Sequence, residues 1–168
     1  FMPINLRLFF LFFCLFTTGN ALADIYGKVV KVVDGDTIHL QTIDEEKIKV
    51  RLLGIDAPEI DQSFGNQSKS LLKKLIHKKE VHILSKKKDR YKRILGKILL
   101  DGNDINLLMI RKGYAWHYKR YKSDQFRQDI KIYAATEKSA RYSGVGLWGE
   151  LNTIAPWEWR KHKREKNR

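Results

Sequence analysis

Val29-Val30-Lys31-Val32-Val33-Asp34-Gly35-Asp36-Thr37-Ile38-His39-Leu40 decides the fold. Two β-branched runs flank Asp-Gly-Asp, a tight-turn sequence, so the segment reads as two antiparallel strands. Asp44-Glu45-Glu46 makes the next turn, and Ile48, Val50 and Leu52 alternate within a third strand, Lys47 to Ile55. That strand ends at Asp56-Ala57-Pro58-Glu59, because Pro58 has no N–H to give to a ladder.

Outward from this core, Leu71, Leu72, Leu75 and Ile76 share one face of a helix expected over 68–78, with lysines outside. Val81 to Leu84 and Ile94 to Leu100 read as two more strands, and Ile105, Leu108 and Met109 as a short helix stopped at Gly113. Ser123 is expected to cap a longer helix lined by Phe126, Ile130, Tyr133 and Ala134. Five short strands interrupted by one helix and followed by others suit an α+β fold: a five-stranded barrel of the OB type with about three packed α-helices.

Two acidic clusters fall at strand ends, Asp34 with Asp36 and Asp56 with Glu59. Carboxylates from neighbouring strand ends can converge on a hard cation such as calcium, leaving positions free for a phosphate oxygen. Taken singly, each cluster is better read as turn chemistry, since Asp and Gly favour turns for backbone reasons. Arg51 shifts the balance: set in the apolar run Val50-Arg51-Leu52-Leu53, its guanidinium needs an anionic partner, either a structural carboxylate or a substrate phosphate. Arg93 enters its strand in a similar way. With Glu59 as proton acceptor, the set suits phosphodiester hydrolysis.

Asp34-Gly35-Asp36-Thr37, then Arg51-Leu52-Leu53-Gly54-Ile55-Asp56-Ala57-Pro58-Glu59, then Asp89-Arg90-Tyr91-Lys92-Arg93 resemble, in order and spacing, three successive signatures of the staphylococcal nuclease, or thermonuclease, family. The likeness runs from about Tyr26 to Trp148. It implies an OB-fold enzyme that binds calcium and cleaves DNA and RNA. By resemblance, Asp36 and Asp56 are the calcium carboxylates and Ala57 supplies a main-chain carbonyl. Glu59 is the general base, and Arg51 and Arg93 hold the phosphate. Tyr91 and Tyr121 fall at nucleotide-pocket positions. The chain departs from the family's best-known member at Ala57, where that protein has Thr, in a shorter loop from Ile60 to Gly65, and at Lys119, which replaces a pocket tyrosine.

The charge agrees with a polyanionic partner: 33 Lys and Arg against 19 Asp and Glu, with 12 of the basic residues between Lys69 and Lys97. Tyr114, Trp116, Tyr118 and Tyr121 interleave with basic residues, a composition that stacks unpaired bases or packs a core. Trp148, Trp157 and Trp159 are read as packing. The substrates expected are DNA and RNA, single-stranded or unpaired by preference, acted on by a monomer. An OB module that only binds nucleic acid would lack one of the five charged site residues, and all five are present. A cationic membrane-surface protein would leave the acidic clusters unexplained. Histidines lack ligand spacing, which argues against zinc.

Residues 1–23 combine Arg7, the apolar run Leu8 to Phe16 and Ala21-Leu22-Ala23, the pattern of a cleaved signal peptide and too short for a span. The only cysteine, Cys14, lies inside that run behind the bulky Leu11-Phe12-Phe13, so lipid modification is disfavoured and the remainder has no disulfide. No later apolar stretch is long enough for stable membrane insertion. The division expected is therefore a signal peptide at 1–23, a nuclease-like OB domain at 24–159, and a solvated basic tail at 160–168, in a secreted or periplasmic protein of net charge +13 once Arg7 is lost.

Overall fold

A computed structural model describes residues 23–167. The expected signal segment, with Cys14, lies outside the described residues except for Ala23. The chain order is β1 (Ala23–Val32), β2 (Thr37–Thr42), β3 (Lys47–Leu52), β4 (Ile55–Asp56), α1 (Gly65–Ile76), β5 (Glu80–Lys88), β6 (Ile94–Leu100), β7 (Asn103–Asp104), α2 (Ile105–Arg111), β8 (Trp116–His117), α3 (Arg127–Tyr142) and α4 (Pro156–Lys166). Short 3-10 segments cover Lys119–Asp124 and Gly146–Gly149.

Strands run in the order β3-β2-β1-β5-β6, and a parallel pairing of β3 with β6 closes them into the five-stranded barrel expected. The inward positions of the alternating strands, Val29, Ile38, Leu40, Val50, Ile83 and Ile98, are fully buried and meet Leu72 and Ile76 of α1 and Met109 and Ile110 of α2. Asn106 of α2 is buried at the closure. Its amide donates to the carbonyls of Leu53 and Gly96 at 2.9 and 3.1 Å, and its Oδ1 accepts the Ile98 N–H at 3.1 Å. The barrel seam is thus satisfied from below.

Several expectations need correction. The third strand does not run through to Ile55, because Gly54 turns at φ +78°, a conformation costly for any residue with a Cβ. After this turn β4 leaves the barrel and pairs with β8, Ile55 opposite His117 and Asp56 opposite Trp116. Ser123 caps nothing; it lies in a 3-10 segment, and α3 starts at Arg127. The buried face of α3 is Asp129, Tyr133, Glu137 and Ala140, so Phe126 precedes the helix and two acids line its inner side. Lys97 sits between Asp129 (2.8 Å) and Asp104 (3.2 Å), which removes it from the basic track. The α-helices number four among the described residues. The basic tail is helical: Pro156 starts a helix, as its fixed φ favours at a first turn, which carries Arg160 inward and leaves residues 161–167 exposed.

A second small core holds this helix: Trp116, Leu147 and Ala155, with Trp148 and Trp157 against them. Trp116 meets both indoles edge to face, and Arg141 lies over Trp116 and Trp148 at 4.5 and 4.0 Å.

Candidate active site

One end of the barrel collects the charged residues. The β2–β3 register pairs Thr37 with Arg51, placing the Arg51 side chain beside Asp36, the residue just before β2. Asp34 holds the intervening turn by accepting the Asp36 N–H at 3.0 Å. The Asp36 carboxylate is buried: Oδ2 accepts the Ala57 N–H at 2.6 Å, Oδ1 accepts the Thr37 hydroxyl at 3.1 Å, and Oδ1 meets Arg51 Nη1 at 2.5 Å. Arg51 Nη2 reaches Asp56 Oδ1 at 2.7 Å. One guanidinium therefore spans both carboxylates, and the Ala57 peptide lies between them.

Burial pushes the Asp36 carboxyl well above its ordinary range, and Arg51 only partly opposes this while Asp34 and Asp56 add to it. Burial also disfavours the charge on Arg51, but Asp36 and Asp56 outweigh it and hold the guanidinium more firmly protonated than usual.

Glu59 follows the buried Pro58 and is 38% exposed. Its loop is tied back on itself: the Glu59 N–H donates to Gln62 Oε1 at 3.2 Å and the Gln62 N–H to the Glu59 carbonyl at 2.9 Å. Gly65 permits this, since a Cβ there would lie 1.8 Å from the Glu59 carbonyl oxygen. Gln62 also donates to the Ile154 carbonyl at 2.6 Å, joining the loop to the segment before α4.

From α4, Arg160 donates to both oxygens of Asp56, Nη1 to Oδ1 at 3.2 Å and Nη2 to Oδ2 at 2.7 Å, and to Glu59 Oε1 at 2.6 Å. Burial works against its charge, but these bonds and charges raise its affinity for the proton. Sequence reasoning missed Arg160, as nothing in a run of basic residues marks one of them as buried against acids.

Arg93 stands apart. It precedes β6 in the Asp89–Arg93 hairpin turn, where Asp89 accepts the N–H of Tyr91 and of Arg93 at 2.8 and 2.9 Å and pairs with the Arg93 guanidinium at 2.7 Å. Because β6 runs parallel to β3 with Ile94 beside Val50, this hairpin rises at the same barrel end as Arg51. Tyr91 is exposed and lies under the Arg90 and Arg93 guanidiniums at 4.8 and 5.4 Å. Tyr121, also exposed, packs on Tyr118 at 5.2 Å, and Tyr118 stacks on Trp157 of α4 at 5.5 Å. The structure thus joins Asp36, Arg51, Asp56, Ala57 and Glu59 by direct contacts or chain adjacency, with Arg93, Tyr91 and Tyr121 on the rim.

Among the described residues no three acid, histidine or cysteine side chains form a ready cation cage. The donor set still fits a hard cation, for Asp36 and Asp56 are buried oxygen donors and the Ala57 peptide, bonded to Asp36, follows Asp56 directly.

The staphylococcal nuclease homologue family matches residues 49–150. A Haemophilus influenzae protein named as an uncharacterized endonuclease is 42% identical over 137 residues, 82% of this chain and 74% of its own length. A Shigella flexneri protein named micrococcal nuclease is 37% identical over 150 residues, 84% and 83% of the two chains. A staphylococcal-like nuclease of Arabidopsis thaliana is 38% identical over 122 residues, although these make up only 36% of that longer protein.

Proposed function

We propose that this chain, which belongs to the staphylococcal nuclease homologue family, is a calcium-dependent nuclease that hydrolyses phosphodiester bonds of DNA and RNA. The observation that carries the reading is the single guanidinium of Arg51 shared between two buried carboxylates, Asp36 and Asp56, with Glu59 three residues further on.

In this mechanism Asp36, Asp56 and the Ala57 carbonyl would hold the cation, which would supply positive charge against the phosphate. Arg51 and Arg93 donate to the non-bridging phosphate oxygens, a planar fork matching two oxygens at once. Glu59 orients a water and accepts its proton as the oxygen attacks phosphorus. The P–O bond to the leaving strand breaks, that oxygen takes up a proton from solvent water, and Glu59 returns its own proton to solvent. Charge builds on the phosphate in the transition state, so donors fixed by the barrel stabilise it more than the ground state. The exposed Tyr91 and Tyr121 rings suit bases that are already unstacked, which favours single-stranded or unpaired substrate. One chain supplies every residue of the site, so the chemistry needs no second copy, in keeping with a monomer. The apolar run and Ala21-Leu22-Ala23 support export with cleavage after Ala23; no helix of the described residues is long and apolar enough to cross a membrane.

Digestion of single-stranded DNA by the purified protein tests the reading. Cleavage is expected with calcium, poor cleavage with magnesium, whose stricter octahedron keeps its waters, and none in chelator. Full activity in chelator would overturn the cation requirement.

A further inference from the structure

The C-terminal helix does more than cover the barrel end. Part of its docking is the small tryptophan core, with Trp157 also stacked on Tyr118, and part is polar contact to the loop that carries Glu59: Trp159 Nε1 donates to Asp61 at 3.3 Å and Lys163 pairs with Asp61 at 2.5 Å. The outward face from Lys161 onward is exposed. Exposed ion pairs of this kind hold a helix weakly. Arg160 is different, because it bonds three oxygens of two acids, and it lies beyond residues 49–150, the segment matching the family.

The valence of Asp56 makes the arrangement consequential. A carboxylate offers about four lone-pair positions. Arg51 takes one on Asp56 and Arg160 two, while Asp36 gives three to Thr37, Arg51 and Ala57. Asp36, Asp56 and Glu59 together bring three negative charges, and Arg160 supplies compensation that Arg51 alone cannot. A cation entering between Asp36 and Asp56 would meet carboxylates with about one lone-pair position left on each and a second positive charge at bonding distance, in a setting where like charges repel strongly.

We propose that Arg160 is a built-in counter-ion for Asp56 and Glu59, a positioning residue that the C-terminal helix holds over the carboxylates and that a divalent cation must displace to bind. This rests on the proposed cation site. Arg160 then sets how much cation the protein needs, and its departure frees Glu59 Oε1 for the water. Without cation, it keeps the carboxylates paired and α4 docked.

Calcium titration calorimetry of the full chain, with Arg160→Gln, Arg160→Lys and wild type compared, tests this without reference to cleavage. Arg160→Gln is expected to bind calcium about tenfold or more tightly than wild type, the change that one lost charge-assisted pair corresponds to. Arg160→Lys, which keeps the charge but not the fork, should fall between them and remains informative if the glutamine variant misfolds. In wild type, calcium should also speed amide hydrogen exchange across residues 157–166. Equal or weaker calcium binding by both variants, or an unchanged exchange rate in that helix, would overturn the counter-ion role while leaving the cation site standing. If neither wild type nor variants take up calcium at millimolar concentration, the cation reading fails and the displacement role with it.

Discussion

Two regions meet at the site and are built differently. The barrel side, Asp36, Arg51 and Asp56, is buried, set by strand register and bonded in a closed set of contacts. The rim side, Arg93 with Tyr91 in the β5–β6 hairpin, is partly exposed and held by local pairs, while Arg160 on α4 is partly exposed itself but reaches from the rim to the buried Asp56. Removing a buried partner strands a charge, whereas removing a rim partner returns one to water. The barrel side is therefore where function and stability are coupled, and the rim side is where function can change with little effect on the fold.

The sharpest break of this contrast pits Arg51→Met against Arg93→Met. The first leaves two buried carboxylates without their shared cation and should cost about 3–5 kcal/mol of unfolding free energy, the usual consequence of halving a buried pair. The second opens a partly buried local pair whose Asp89 keeps two backbone N–H donors, and should cost less, about 1 kcal/mol. Both should lower turnover by about a hundredfold or more, as lost transition-state donors do. Denaturant titration beside cleavage kinetics checks the pair, and equal destabilisation by the two variants would erase the distinction.

Glu59 lies between the regions, on a loop fixed by Gln62 but with a half-open carboxylate. Glu59→Gln should fold normally and bind a short oligonucleotide with calcium nearly as wild type does. Its single-turnover cleavage should be slower by about a hundredfold or more, the yield of a positioned base. Unchanged cleavage would remove Glu59 from the chemistry, and lost binding with a loosened loop would make it structural.

The same division explains what the sequence made legible. Alternation at Val29, Ile38, Leu40, Val50 and Ile98 is a local consequence of one-sided burial, so the barrel could be read from it. Asp36, Arg51, Asp56 and Glu59 fall within two short motifs whose turns are themselves local. Arg160 meets Asp56 across 104 positions of sequence, and no local pattern encodes such a contact. Asp129 and Glu137 went unread for the same reason: they are buried on α3 because Lys97, Lys119 and the His117 N–H arrive from other elements. Ser123 had the chemistry of a cap, but Gln125, buried and bonded to His117 and Tyr118, fixes the backbone before the helix can start there.

Part of the basic surface is exposed: Lys73 and Lys74 on α1, and Lys88, Arg90 and Lys92 at the hairpin. Phosphates neutralised by these residues release counterions, so single-strand affinity should fall steeply with salt. Replacing all five with Gln should flatten the slope of log affinity against log salt by about 0.7 for each phosphate that is no longer neutralised, with the fold unchanged. A slope identical to wild type would place the substrate backbone elsewhere.

The smallest effect expected is on the barrel side, at His117, which pairs with Ile55 next to Asp56 and whose ring meets Gln125 Oε1 at 3.0 Å. Burial lowers its proton affinity, and the Gln125 bond and the Glu137 charge offset this only in part. A histidine held neutral by the fold binds fewer protons folded than unfolded, so its contribution is complete above the unfolded value near 6.5 and is lost as pH falls through the lower folded value. Wild type should therefore lose more stability between neutral and mildly acidic pH than His117→Gln, whose amide keeps a polar group beside Gln125 but does not titrate there. Because the ring lies among the residues that seat β4, the loss should be accompanied by weaker oligonucleotide binding over the same interval, whereas the substitutions at the rim should leave that interval where it is. Parallel pH series of denaturant midpoints for the two proteins settle the sign, and identical slopes would show that acid sensitivity at this barrel end comes from the carboxylates and not from His117.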